Sequence, residues 1–153
     1  MRRESILGII RDKPGIGFNE IARQSNLSNG VVSHYILQLL KDKEVIKTGI
    51  RAKYFLHGFP EKDKELIIIL LNATNFKIIK LLLEKSKPLR SRDIAKNIGK
   101  SISTVSVNLK KMEKIKIIER EILNEDYKLT SDIGFKISKT KIMKEMISKY
   151  NLN

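Results

Sequence analysis

The sequence contains no cysteine, only two histidines and no long hydrophobic run. The lack of cysteine excludes disulfide bonds, iron–sulfur clusters and cysteine-based zinc sites. No local cluster of carboxylates accompanies His34 or His57, so we expect no metal site. The longest apolar run, Leu66 to Leu71, is far too short to span a bilayer.

Features that would indicate export or catalysis are also missing. The N-terminal residues Met-Arg-Arg-Glu-Ser have no apolar core of signal-peptide length, so we expect a cytoplasmic protein. The sequence shows no pairing of a nucleophile with a base, no metal-ligand spacing and no glycine-rich phosphate loop. We therefore expect a protein that is not an enzyme and that uses no cofactor.

What the sequence does have is positive charge. Its 153 residues include 31 Lys and Arg against 17 Asp and Glu, a formal net charge of +14. This balance favours a polyanionic partner, because each phosphate that is neutralised releases counterions. A lysine-rich surface without any nucleic-acid role is the alternative. The length suits one ordinary domain or two small ones of about 60–75 residues.

The second half of the sequence repeats the first at a shift of 73 residues, which places Ile79 opposite Ile6. Other matching pairs are Glu20–Gln24 with Asp93–Asn97, Ser28 with Ser101, Val32–Ser33 with Val105–Ser106, and Ile36 with Leu109. Similarity of this length and order indicates two copies of one supersecondary unit.

Each copy reads as three helices followed by a β-hairpin. The first copy predicts helices at Arg3–Asp12, Asn19–Ser25 and Asn29–Lys41, and strands at Val45–Thr48 and Lys53–Leu56. The second predicts helices at Phe76–Lys85, with Asn75 as cap, Arg92–Ile98 and Ile102–Lys114, and strands at Ile117–Ile122 and Tyr127–Thr130. The predicted fold is mainly α with small β-hairpin wings, and its domains are 1–58, a linker helix at 59–74, 75–132, and a C-terminal helix at 133–153.

Four spacings that recur in both copies indicate a helix-turn-helix. A small residue, Ala22 or Ala95, stands where two helices cross closely. Four residues later, Asn26 or Gly99 suits a turn that needs positive φ. The matching core positions are Val32 and Val105, then Ile36 and Leu109 one helical turn later. The serines before the third helices, Ser28 and Ser101, are predicted N-caps.

These segments resemble a known family. The stretches Gly17–Arg23 and Leu27–Tyr35 are similar to the helix-turn-helix core of archaeal winged-helix transcriptional regulators, whose bacterial counterparts in style are the MarR and ArsR groups. Ser101–Leu109 resembles the same segment, and Tyr127–Gly134 resembles an exit from a wing into a last helix. The resemblance covers about residues 2–58 and 75–135 and implies double-stranded DNA as the partner.

In the first copy, the resemblance implies that the third helix docks in the major groove with its N-terminal half toward the base edges. Candidate contacts there are Ser28, Asn29, Gly30, Val31, Ser33, His34, Tyr35 and Gln38. The amides of Asn29 and Gln38 can bond bidentately to adenine. Gly30 costs the helix about 1 kcal/mol against alanine, which indicates either close approach to the duplex or a frayed first turn. For Tyr35, packing is preferred over a bond to phosphate.

The second copy and the wings carry different chemistry. Candidate contacts of the second copy are Ser101, Ser103, Thr104, Ser106, Asn108, Lys110 and Lys111, which suit phosphate positioning better than base reading. The first wing is basic, with Lys47, Arg51 and Lys53, whereas the second, Glu119–Asp126, is acidic and would be repelled by phosphate. We expect the first copy to be the main reader of DNA. The second then binds weakly, clamps with its helix alone, or serves assembly.

Alternatives remain at this level. The leading hypothesis is a sequence-specific transcriptional regulator, against a winged-helix protein-interaction module or a nonspecific chromatin or nucleic-acid binder. The apolar end of the linker helix, Leu66–Leu71, is expected to be buried between the two copies or in a homodimer. The C-terminal helix, with Met143, Met146, Ile147 and Tyr150 on one face, caps the second copy or pairs with a second chain.

Overall fold

The computed structural model of the chain describes residues 1–49, 51–124, 132–150 and 152. It divides into two compact units, Met1–Ile68 and Ile69–Asn153. The described chain is mainly helical, with small antiparallel hairpins, which confirms the predicted fold class.

The first unit contains α1 (Arg2–Asp12), β1 (Ile16–Gly17), α2 (Phe18–Ser25), α3 (Asn29–Lys41), β2 (Val45–Thr48) and β3 (Lys53–Leu56). Its strands form an antiparallel sheet in the order β1-β3-β2. Helices and sheet enclose one apolar core, whose buried side chains are Ile6, Ile10, Ile16, Ile21, Val32, Ile36, Leu39, Val45 and Tyr54. The core residues predicted on the second and third helices therefore point inward.

A further helix, α4 (Glu61–Leu71), lies where the linker helix was predicted. Its apolar residues Ile67 and Leu70 are buried, and the Lys64 ammonium lies 2.5 Å from Glu61 Oε1. Within the described ranges no single helix is long and apolar enough to cross a membrane. Only α4 and α5 (Ala73–Glu84) taken together, with a sharp bend between them, reach that length and hydrophobicity.

The second unit repeats the plan of the first. After α5 come α6 (Ser91–Ile98), α7 (Ile102–Lys114), β4 (Ile118–Asn124), β5 (Asp132–Ile137) and α8 (Thr140–Lys149). β4 and β5 pair antiparallel, and Leu89 forms an isolated bridge to Phe135. Leu89 follows Ile16 by the repeat shift of 73 residues, and Ile16 pairs with Tyr54 on β3. Each unit therefore has a third, very short strand position before its second helix, at Ile16 or Leu89. The sequence analysis did not predict it.

The turn and cap residues of both helix-turn-helix motifs have the predicted geometry. Asn26 and Gly99 end α2 and α6 in the left-handed region, with φ of 57° and 70°. The Ser28 hydroxyl accepts from the backbone N–H of Val31 at 3.3 Å, and the Ser101 hydroxyl accepts from that of Thr104 at 3.1 Å. These caps satisfy amide groups that have no partner inside the helix, so both serines fix where the third helix begins.

The predicted start of the first helix of the second copy is wrong. α5 begins at Ala73 rather than Phe76, because the Asn72 side chain, not that of Asn75, caps it by accepting from the Asn75 N–H at 3.0 Å. Asn75 is buried in the first turn, where its side-chain amide donates to the Ile69 carbonyl at 3.2 Å. The segment 59–74 therefore holds α4 and also the beginning of α5.

The described return strand of the second wing, β5, lies at Asp132–Ile137, where the sequence predicted the beginning of the C-terminal helix. Residues Tyr127–Thr130 lie outside the described residues, and the strand that pairs with β4 is β5. The predicted C-terminal helix at 133–153 begins only at Thr140, because Phe135 and Ile137 alternate with Lys136 and bury their side chains from a strand. Gly134 permits close packing there, since a Cβ at this position would lie 2.8 Å from Pro88 Cβ.

Candidate nucleic-acid interface

The outward face of α3 is the first part of the candidate interface. Because Val32, Ile36 and Leu39 hold one side of this helix against the core, the opposite side faces solvent. Its exposed residues are Asn29, Gly30, His34, Leu37 and Gln38, while Val31, Ser33 and Tyr35 are half-buried at its edges. The amide side chains predicted to read bases are therefore accessible.

Three neighbouring side chains on α3 contact one another. The Gln38 side-chain amide donates to His34 Nε2 at 3.2 Å. The His34 ring meets the Tyr35 ring edge-on, with centroids 5.1 Å apart, and Tyr35 packs against the core. Packing is thus the role that the structure gives to the Tyr35 ring, as preferred from the sequence. The second N–H of this amide and its oxygen stay available for a bidentate contact with a base.

Gly30 lies in the exposed first turn of α3, where a Cβ would meet no atom within 4 Å. No packing inside the chain, within the described ranges, therefore requires a glycine here. Because glycine weakens a helix by roughly 1 kcal/mol against alanine, its presence agrees with close approach of an outside molecule or with a loosely held first turn.

The first wing presents three cations. Lys47 lies on β2, Lys53 begins β3, and Arg51 stands in the turn between them. The turn needs Gly49, whose φ is +88°, and Ile50 lies outside the described residues. Among the residues that are described, no carboxylate oxygen lies within 4.0 Å of these three cations. Their charge is available to an external anion.

The outward face of α7 is the equivalent surface of the second unit. Val105, Leu109 and Met112 are buried, and the other side of the helix exposes Ser103, Thr104, Lys110 and Lys111. A short network joins the hydroxyl groups at its start, with Ser101 Oγ 2.9 Å from Thr104 Oγ1 and 3.2 Å from Ser103 Oγ. Ser106 and Asn108 are half-buried, and the Asn108 amide donates to the Thr104 carbonyl at 3.0 Å.

The charged side chains of the second wing form ion pairs where the wing is described. Lys136 on β5 lies 3.6 Å from a Glu119 oxygen and 3.4 Å from a Glu121 oxygen. Arg120 forms an ion pair with Glu113 at 2.6 Å. The other two predicted wing acids, Glu125 and Asp126, lie outside the described residues. The two wings therefore differ in charge. The cations of the first wing have no carboxylate within 4.0 Å among the described residues, whereas the described ions of the second wing are paired.

An ion pair holds the base of the second wing to the start of α6. Arg90 donates to both carboxylate oxygens of Asp132, at 2.7 and 2.5 Å. The guanidinium lowers the pKa of the Asp132 carboxyl below its ordinary value, and the pKa of Arg90 is raised in turn. With the adjacent bridge between Leu89 and Phe135, this pair fixes the strand β5 against the helix-turn-helix.

Three exposed aliphatic side chains are missing from the candidate contacts of the sequence analysis, in which Val31 was the one aliphatic side chain. Leu37 on α3 is 64% exposed, and Ile102 and Val107 on α7 are each 53% exposed. Helical spacing could have predicted two of them. Val107 stands four residues after Ser103, and Leu37 four residues after Ser33, so both lie on sides of their helices that do not pack against the core.

In the described part of the chain, no three His, Asp or Glu side chains are grouped so that they could hold a metal ion. The candidate surface offers amides, hydroxyls, cations and a few aliphatic groups. These groups suit non-covalent recognition of a polyanion and its base edges.

Comparison with protein families gives two consecutive matches. Residues 1–67 match a family described as an N-terminal HTH domain, and residues 71–119 match winged helix-turn-helix DNA-binding. Both are DNA-binding families, and neither is a family of enzymes.

Individual proteins are also similar. An HTH-type transcriptional regulator of Methanocaldococcus jannaschii is 30% identical over 120 residues, which is 76% of this chain but only 30% of the relative's own length. A Corynebacterium diphtheriae protein of known structure is 12% identical, with a TM-score of 0.31 over 89% of this chain and 26% of its own. The mRNA-binding domain of elongation factor SelB from E. coli is 13% identical, with a TM-score of 0.29 over 78% of this chain and 91% of its own. At such TM-scores the two structures carry no weight here.

Proposed function

The chain carries two helix-turn-helix domains in tandem and is homologous to an archaeal HTH-type transcriptional regulator, and on this basis we propose that it is a sequence-specific regulator that binds double-stranded DNA. The observation that carries the proposal is that the first unit has both an exposed amide face on α3 and three wing cations with no carboxylate oxygen within 4.0 Å among the described residues. Amides read bases and free cations hold phosphates, so together they form a reading surface.

The first unit supplies the main readout in this proposal. α3 enters the major groove, where Asn29 and Gln38 bond to the N6 and N7 edge of adenine. Lys47, Arg51 and Lys53 hold the backbone beside the groove, because free cations gain most from releasing condensed counterions. The other proposed contacts in this unit are Ser28, Gly30, Val31, Ser33, His34 and Tyr35.

The second unit takes a supporting part. The exposed groups of α7 are short hydroxyls and lysines, which fix position on the backbone. Its wing offers phosphate no net positive charge, because Lys136 is shared between Glu119 and Glu121. The proposed contacts are Ser101, Ser103, Thr104, Ser106, Asn108, Lys110 and Lys111. We keep 1–58 and 75–132 as the proposed bounds of the two winged units.

A protein-interaction role of the second wing is the alternative, and one observation favours it. Ile122 and Leu123 on β4 are exposed, at 64% and 37%, beside the paired acids. Exposed apolar groups beside neutralised charge suit a protein surface better than a phosphate backbone. This role and DNA binding through α3 are compatible within one chain.

Homodimerisation is part of the same proposal, and we place it on the C-terminal helix. Ile67 and Leu70 of α4 are buried, and the exposed residue of the segment Leu66–Leu71 is Leu71, at its end, at 42%. On α8, by contrast, Ile142 is 48% exposed at the edge of the stripe that buries Met143 and Met146.

The proposed function is tested by selection from fragments of the source genome with excess competitor DNA. A regulator retains a small set of fragments that share one sequence, since specific sites bind about 10³-fold or more tighter than nonspecific DNA. Loss of all fragments to the competitor would show a nonspecific binder. Failure to retain any fragment even without competitor would remove DNA as the partner.

A further inference from the structure

Exposed aliphatic side chains on the outward faces of α3 and α7 have no partner in the described parts of their units. Val107 is 53% exposed and Leu37 is 64% exposed. Both belong to the helices whose polar neighbours form the candidate interface. Because both side chains stand among the polar groups of the candidate interface, a partner bound there would cover them.

Val107 lies at the centre of the outward face of α7. Its neighbours at three and four residues are Ser103, Thr104, Lys110 and Lys111, and all four are exposed. On this face the described cations and hydroxyls surround one apolar side chain. Glu113, the carboxylate of the helix, lies away from it in the ion pair with Arg120. This charge arrangement favours an anionic partner that also presents an apolar group.

Valine is a poor choice for an exposed helix position unless it makes a contact. β-branched side chains lose rotamer freedom in a helix, and lysine or alanine would stabilise α7 better. Leu37 also lies among exposed residues. Gly30, His34 and Lys41 are exposed on the same side of α3, within about two helical turns of it. The local propensity and the exposure therefore point to the same conclusion in both units.

We propose that Val107 and Leu37 contact thymine C5-methyl groups in the major groove, an inference that rests on the proposed DNA-binding function. In the groove of unmodified DNA, the thymine methyl is the apolar group that a base edge presents. Lysines on the same face, Lys110 and Lys111 in α7, hold the flanking phosphates and bring the aliphatic side chain to the base edges. The second unit then has a readout of its own, although it lacks a free amide at the centre of its face.

The two units read thymine at different positions of their helices. The repeat shift places Val107 opposite His34 and Lys110 opposite Leu37. At the first of these two aligned positions the exposed aliphatic residue is Val107 of α7, and at the second it is Leu37 of α3. When the two units are aligned, the two aliphatic residues therefore lie one helical turn apart. The thymines required under α3 and under α7 therefore occupy non-equivalent places in their half-sites, and the preferred sequence lacks exact repeat symmetry.

The test replaces single thymines by deoxyuridine in the duplex that selection from a randomised library returns. Deoxyuridine keeps every hydrogen-bonding group and removes only the methyl. We expect a loss of about fourfold in affinity at each contacted thymine, the effect of one apolar methyl leaving a buried contact. In Val107→Ala the loss should vanish at the thymines under α7, and in Leu37→Ala at those under α3.

Leu71→Ala is the matched control, because Leu71 is an aliphatic residue on α4 that is 42% exposed. This variant should keep the full response to deoxyuridine. Alanine favours the helix, so both test variants should fold, which circular dichroism verifies. If no duplex is selected, the proposed function fails. If a duplex is bound but deoxyuridine has no effect, or has an effect that neither variant removes, the methyl contact fails while DNA binding stands.

Discussion

Replacing Asn29 and Gln38 by alanine is expected to flatten the sequence preference of the chain. Each bidentate amide–adenine contact contributes about 1–3 kcal/mol of discrimination, so the double variant should lose tens-fold to thousands-fold on the preferred duplex. Affinity for a scrambled duplex should change much less. In the free protein the Gln38 side-chain amide donates to His34 at 3.2 Å. Titration of both duplexes at one salt concentration measures these effects.

Asn97→Ala provides an amide control for this experiment. Asn97 is exposed on α6, but its side chain donates to the Asp93 carbonyl of its own helix at 2.7 Å. Its removal should leave the ratio between preferred and scrambled duplexes unchanged. A double variant of Asn29 and Gln38 that weakens both duplexes by the same factor would show that these amides only position the chain.

A steep dependence on salt is the second large effect that we expect. With six phosphate contacts, affinity should fall about a thousandfold between 50 and 200 mM salt, at a slope near −0.9 per contact. The Arg51→Ala, Lys53→Ala double variant should weaken all duplexes alike and make this slope shallower by about two contacts. The measurement is a duplex titration at several salt concentrations.

The second wing gives the contrasting variant in that titration. Glu119→Gln with Glu121→Gln removes two carboxylates and frees Lys136, which lies within 3.6 Å of both. If this wing lies away from DNA, affinity and slope should change little, and sedimentation shows whether the oligomeric state changes instead. A large gain in affinity would place this wing beside the phosphates and contradict the unequal roles of the two units.

The helix-turn-helix motifs could be predicted closely from the sequence because their determinants are local. A serine cap fixes the first residue of α3 and of α7, and a residue with positive φ fixes the end of the helix before. The bounds of β2 and β3 also agree with the prediction. In each case the signal lies within a few residues of the element that it bounds.

Features that depend on distant partners were predicted poorly. The start of α5 depends on which asparagine caps it, and the sequence offers both Asn72 and Asn75. The strand β5 depends on pairing with β4, and its short alternation of buried and exposed side chains was assigned to the predicted C-terminal helix. Because residues 133–137 were assigned to that helix, the position of Lys136 between Glu119 and Glu121 could not be foreseen.

The reading surface was predicted in part. Polar outward positions on α3 follow from helical periodicity alone, and the structure exposes Asn29, His34 and Gln38 as expected. Leu37 and Val107 were missed, because an aliphatic residue in a helix is usually assigned to the core. Val32 and Val105, a few residues away, are buried, whereas Leu37 and Val107 are exposed, so helical spacing relative to the core positions is the signal that separates the two pairs.

The position of α3 on DNA tests the central proposal most directly. Because the chain contains no cysteine, His34→Cys carries a single DNA-cleaving reagent to the outward face of α3, and Ser5→Cys carries it to α1, which packs behind α2 and α3. We expect cleavage from position 34 within the selected sequence and none from position 5. Equal cleavage from both positions, or cleavage spread evenly along the duplex, would contradict docking of α3 in the major groove.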